Sequence, residues 1–333
     1  MQKTIHILIA VMLLTLPVSA CGPQAQATEA VPQAPSGETV AAPLPELEGT
    51  IAISGAFALY PMMTRWGEEF QKIHPDVQFD ISAGGAGKGM ADALAGAVDI
   101  GMVSRSVTPE EEAQGAYWVA VTKDAVFPTV NAKNPALQDL LGKGMTREIF
   151  VKIYITGEIK TWGEAVGKPE ISDAIHVYTR SDACGAAETW AKYLGGKQED
   201  LKGIGVSADP GLLQAVVNDP LGIGFNNLNY AYDMTTGQPV AGAVVVPIDI
   251  NENGQTDADE TLDTKTEAVE AVASGKYPSP PARLENLVTK GKPTGLAQTF
   301  IEWILTDGQQ FLGEAGYIQL TPEQLEDSMQ KIR

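Results

Sequence analysis

Residues 77–103 read VQFDISAGGAGKGMADALAGAVDIGMV. Residues 77–82 alternate apolar and polar as a half-buried strand does, residues 90–95 carry helical spacing, and residues 99–103 (DIGMV) form an apolar run of strand length. Strand, glycine-rich turn, helix and strand in that order make parallel sheets flanked by helices. Ligands of such sheets sit at the carboxyl ends of strands, where loops turn into helices. Working outward, residues 50–54 (TIAIS) read as a strand and residues 59–73 as a helix, so the alternation starts one unit earlier. Past Val121 it restarts: a helix at 145–155, a strand at 175–179, helices at 186–194 and 210–218, and a strand at 222–226. Residues 243–250 (AVVVPIDI) read as a strand and residues 295–305 (GLAQTFIEWIL) as an amphipathic helix. The expectation is an α/β protein of two lobes, without internal repeats.

Several strings recur in an order that resembles one family. They are Ser54-Gly55 with Leu59-Tyr60-Pro61, Gly84-Gly85-Ala86-Gly87-Lys88-Gly89, Asp99-Ile100-Gly101-Met102 with Ser104-Arg105, Thr156-Gly157-Glu158-Ile159 with Trp162, Arg180-Ser181-Asp182 with Gly185, and Gly222-Ile223-Gly224. Together they resemble the PstS-like phosphate-binding proteins of ABC transporters, over most of residues 49–333. The resemblance implies a type II periplasmic binding protein fold, with mostly parallel sheets flanked by helices and two crossover strands, here near 125–131 and 226–232. Lobe I would then be residues 49–126 and 233–333, and lobe II residues 127–232.

The resemblance also implies an anion site between the lobes, built from Ala56, Phe57, Gly85, Ala86, Gly87, Ser104, Arg105, Arg180, Asp182, Cys184, Gly185 and Ala186. Its physics is backbone N–H groups at helix N-termini, hydroxyl donors and an arginine fork on a dianion. The same glycines also suit tight turns and close packing, and Arg180 also suits a salt bridge to Asp182 or Glu188. The string 84–89 is not a nucleotide P-loop, because Ser82 stands where that motif needs glycine and Gly89 where it needs Ser or Thr.

This chain departs from the family where hydroxyls are expected: Ala56-Phe57, Ala86, Cys184 and Ala186 occupy those places, and Arg105 stands where some members carry a carboxylate. A hydrogen bond to a charged group contributes about 1.5–3 kcal/mol, so losing three or four costs on the order of 5–10 kcal/mol. Micromolar binding is worth only about 8 kcal/mol. Tight orthophosphate binding is not expected, and the apolar wall suits an anion with an organic body. The alternative function is a degenerate fold serving as a sensor or surface-interaction module. No enzyme is expected, because Cys184 has no recognisable histidine partner and reads as a small buried thiol.

Residues 1–20 read as a secretory leader: Lys3 precedes an apolar run at 5–16 (IHILIAVMLLTL), and Val18-Ser19-Ala20-Cys21 is a lipoprotein cleavage site. Cys21 is the expected lipidated N-terminus. Residues 21–48 hold five prolines and few large apolar side chains, a disordered linker with a span of about 30 Å. The expected location is extracytoplasmic, as a periplasmic or cell-surface lipoprotein. The formal net charge of −19 argues against nucleic acid. The expected partners are a small anion, an ABC permease and the membrane through the lipid alone, with the protein a monomer.

A second motif runs from Asp249 to Glu260. Asp249, Asn251, Asn253, Gln255 (through its carbonyl), Asp257 and Glu260 match the liganding positions of a twelve-residue calcium loop, with Gly254 at the sharp turn. No cofactor is required by the fold, and a structural Ca²⁺ is the one candidate. Against a metal, the preceding segment reads as a strand and Thr256 takes the usually apolar eighth position, and an Asx-rich turn without metal is the alternative.

Overall fold

The computed structural model describes residues 47–333; the leader, Cys21 and nearly all of the linker lie outside the described residues. The strands are β1 (Gly49–Gly55), β2 (Val77–Ala83), β3 (Ile100–Val103), β4 (Ala116–Asn131), β5 (His176–Arg180), β6 (Ile204–Val206), β7 (Gly222–Asn227), β8 (Ala243–Val245) and β9 (Ala282–Lys290). Their hydrogen-bonded order is β2-β1-β3-β9-β4-β7-β5-β6, with β8 added to β4. β1 is parallel to β2 and β3, and β5 is parallel to β6 and β7, so each lobe holds the parallel set its alternating sequence demands. The antiparallel pair β4 and β9 joins the two sets.

Helix Ala86–Ala95 lies directly on the backbones of β1 and β3. A Cβ on Gly89 would stand 2.5 Å from Met102 O and 2.8 Å from Gly55 Cα, so glycine is required by the contact itself. Close packing was one of the two sequence readings of this loop.

Two hydrophobic cores underlie the two lobes. The first gathers Ile51, Met62, Met63, Trp66, Phe70, Met90 and Met102 with Phe300, Trp303 and Ile304 from the C-terminal segment. The second gathers Phe127, Phe150, Tyr154, Trp162, Trp190, Phe225 and Tyr232. It continues through Leu262, Ala268, Val272 and Tyr277, which the sequence reading assigned to the first lobe. Two phenols show why: Tyr232 donates to Leu262 O and Tyr277 to Val126 O, each at 2.7 Å. The chain therefore returns to the first lobe along β9, not at 226–232, where β7 ends and the short helix Leu228–Ala231 follows.

Other differences are local. The helix expected at 145–155 is Arg147–Val151 followed by a π-helical turn, Lys152–Thr156. The strand expected at 243–250 stops at Val245: Val246 N–H still reaches Pro128 O at 2.9 Å, and Pro247 then has no donor to offer. Among the described residues no helix is long and apolar enough to cross a membrane.

Candidate functional site

The loop after β2 and the loop after β5 each end in a ten-residue helix, Ala86–Ala95 and Gly185–Leu194, and the two helix starts meet. Gly87 N–H donates to Ala183 O at 3.2 Å across the interface of the lobes. Gly185 packs on Ser104 so closely that a Cβ would lie 2.2 Å from Ser104 O and Oγ. The Phe57 ring centroid lies 5.6 Å from the Arg180 guanidinium carbon. The twelve residues expected at the site are thus gathered in one place, although they come from four loops. A cavity of about 360 Å³ opens beside Gly87, Arg105, Ala183 and Cys184.

What these residues offer an anion is limited. Ala56, Ala86 and Ala186 are buried methyls. The N–H groups of Ala56 and Gly85 are taken by Met102 O and Gly55 O, each at 2.9 Å. Cys184 caps its helix as a serine would, Sγ accepting from Ala187 N–H at 3.5 Å, and burial pushes its thiol up to about 12, so it stays protonated. The first N–H groups of a helix have no partner inside it, which leaves Ala86, Gly185 and Ala186 as backbone donors beside the Ser104 hydroxyl.

Both arginines already hold carboxylates. Arg180 gives Nε and Nη2 to Asp182 at 2.8 and 2.6 Å, and Nη1 to Asp209 at 2.5 Å, so three of its five N–H groups are used. Burial opposes its charge, yet the two carboxylates prevail and its pKa rises. Burial likewise opposes the Asp182 carboxylate, and the Arg180 hydrogen bond outweighs it; at the fully buried Asp209 burial wins and the pKa rises. Arg105, read from the sequence as an anion clamp, grips Glu111 with Nη1 and Nη2 at 2.9 and 2.6 Å and Glu188 with Nε at 3.0 Å. Its geometry is that of a latch between lobes. Of the salt-bridge partners weighed for Arg180, Asp182 is present, while Glu188 belongs to Arg105.

Behind Arg180 lies a buried polar chain that the sequence did not disclose. Asp209 accepts from Asn227, Asn227 accepts from Arg283, and Arg283 reaches Asp124 with Nη2 at 3.1 Å and Glu285 with Nε at 3.2 Å. Burial raises Asp124 to about 6 and Glu285 to about 8, each partly offset by Arg283. The chain links a cleft loop to β4, β7 and β9, and no spacing in the sequence marks its members.

The 249–260 segment forms a tight polar loop. Asp249 accepts from Asn253 N–H at 3.2 Å and from Gly254 N–H at 2.9 Å. Asn251 and Asn253 accept from Asn253 and Gln255 N–H at 3.0 and 2.8 Å, and both donate side-chain N–H to Asp257. Glu260 accepts from Ile250 and Asp257 N–H at 2.7 and 3.1 Å. Among the described residues no group of three or more His, Cys, Asp or Glu side chains is placed to hold a metal ion.

Residues 32–308 match the family model of the PBP superfamily domain. The chain belongs to the PBP superfamily. This superfamily member is 27% identical over 325 residues to the phosphate-binding protein PstS of Bacillus subtilis, with 96% of each chain covered. It is 26% identical over 328 residues to the PstS of Methanocaldococcus jannaschii, with 80% of this chain and 81% of that one covered. In fold it is similar to a phosphate ABC transporter substrate-binding protein of Clostridium perfringens solved with bound phosphate: TM-score 0.67, 24% identity, 82% of this chain and 100% of that one.

Proposed function

We propose that the chain is the extracytoplasmic substrate-binding protein of an ABC transporter, anchored by lipid at Cys21, and that it binds phosphate or a related oxyanion between its lobes. It delivers this ligand to a permease and catalyses no reaction. The observation that carries the reading is the meeting of the two helix starts, Ala86–Ala95 and Gly185–Leu194, through Gly87 on Ala183 and Gly185 on Ser104. The phosphate-binding names of its relatives support it.

The donors left to the anion are few, so inorganic phosphate is bound weakly and hydroxyls put back at the cleft strengthen it. Calorimetry on the full-length protein tests this: Ala186→Thr and Ala86→Ser should each tighten phosphate binding by about tenfold, the value of one modest added hydrogen bond to a charge. No heat from phosphate with wild type or the double variant would leave the degenerate, non-transport reading standing. The anchor is tested separately. Cys21→Ser should leave the membrane fraction or persist as uncut precursor, and an unchanged membrane fraction would refute lipidation.

A further inference from the structure

The contacts that cross the cleft at the helix starts have protein atoms on both sides. The Gly87 N–H, second in helix Ala86–Ala95 and so without a partner inside it, donates to Ala183 O on the second lobe at 3.2 Å. Gly185 begins the opposing helix, and the three atoms nearest to a Cβ placed there all belong to Ser104 of the first lobe, its backbone oxygen at 2.2 Å. On Gly87 a Cβ would stand 2.9 Å from Ala183 Cβ. One glycine from each lobe thus lets backbone meet backbone, closer than a side chain allows. Arg105 Nε adds Glu188 at 3.0 Å.

Arg105 is ordered within its own lobe before it meets the other. Nη1 donates to Ser106 O and Glu111 Oε2, each at 2.9 Å, Nη2 donates to Glu111 Oε1 at 2.6 Å, and Asn286 donates to Arg105 O at 2.9 Å. A side chain fixed in this way loses little freedom on pairing with Glu188. The pair aligns more than it binds: burial lifts the Glu188 carboxyl above its ordinary value against the pull of Arg105 and Lys192, and Glu111 and Glu199 add to the lift. The glycine contacts and the Phe57 ring over Arg180 hold the lobes, whereas the donors left to an anion are few. We propose that the lobes shut on one another without help from an anion, the two glycine contacts closing the cleft and Arg105 setting its alignment, so that an anion enters and leaves only through a minor open state. The inference rests on the reading above for the cleft and its two lobes, and takes no side on which anion is bound.

The test is hydrogen exchange on the full-length protein in phosphate-free buffer, read at the Gly87 amide, whose partner lies on the other lobe. With the open state at about 10% or less, this amide should exchange at least about tenfold more slowly than in Gly185→Ala, whose added methyl wedges the lobes apart on Ser104. Glu188→Arg, which sets a second guanidinium against Arg105, should speed exchange in the same direction. In both variants the amides of Met90 to Leu94, inside the helix, should keep their wild-type protection, which separates opening of the cleft from unfolding. If Gly185→Ala loses that protection, Glu188→Arg decides alone. Added phosphate should slow Gly87 no further in wild type. Exchange at Gly87 that is fast until phosphate is added overturns the proposal and leaves the phosphate reading standing. Slow exchange that no folded variant speeds also overturns it. Slow exchange that a folded variant speeds, together with no calorimetric heat from phosphate, leaves this closure standing while the phosphate reading falls.

Discussion

Glu285 is fully enclosed in β9, with one oxygen on Arg283 Nε and the other, Oε2, without a partner. Burial lifts it from 4.5 to about 8, so at neutral pH the folded protein holds a proton there that the unfolded chain has released. Where the folded state binds more protons, stability falls as pH rises. The loss begins above the unfolded value and is complete above about 8, and Asp124, raised to about 6, acts in the same direction. We expect the melting temperature to drop between about pH 5 and pH 8 and Glu285→Gln to flatten that slope, melting a few degrees above wild type at the alkaline end. Thermal melts of both proteins across that range check it, and parallel slopes would show that Glu285 ionises normally. At this scale the sequence was informative about what had been lost and silent about what had been gained. Alanines in place of hydroxyls were readable because the loop strings supplied a register. Asp209 was not, since an acid at the start of a helix is ordinary and its partner Arg180 lies 29 residues away.

Among the elements, those with an unbroken pattern were read closely. Helix Gly295–Leu305 has the bounds its amphipathic spacing gave, and β1, β2 and β7 differ by a residue or two. β9 was missed because ARLENLVTK puts Arg283, Glu285 and Asn286 at positions that the fold buries, and the pattern of apolar residues is the signal a reader follows. The 249–260 loop teaches a related lesson. Asx side chains that turn the backbone by accepting its N–H groups recur at the same spacing as calcium ligands, so one string serves both purposes. Here Glu260 closes the loop through two backbone N–H groups. Glu260→Gln should therefore cost about 1–3 kcal/mol in melts with EDTA as well as without it. A rise in melting temperature with 1 mM calcium in wild type, absent in Glu260→Gln, would instead assign the loop to an ion.

For the molecule as a whole, the alternation of strands and helices disclosed two parallel sets, and the family resemblance disclosed that two crossovers join them but put the second at 226–232 instead of along β9. The bounds of the lobes needed the cores. Phe300, Trp303 and Ile304 complete a core begun by Ile51 and Trp66, and sequence distance conceals such contacts. Trp66 Nε1 donates to Gly308 O at 2.8 Å, closing 242 residues of chain. The buried polar chain behind Arg180 is likewise a property of assembly: Arg283, Asn227 and Asp124 acquire a common purpose only where β9, β4 and β7 lie side by side.

The pairing of β3 with β9 sets an order of events for a chain that emerges from synthesis amino end first. Val103 finds its partner Asn286 only after the entire second lobe has been delivered, and until then β3 presents a bare edge. A half-made chain consequently holds one lobe able to close its sheet and another kept waiting, with the apolar faces of β1 and helix Tyr60–Ile73 uncovered until Phe300 and Trp303 arrive. Those unfinished surfaces, rather than the ligand loops, are where a growing chain of this design is open to proteases and to helpers that shield apolar surface.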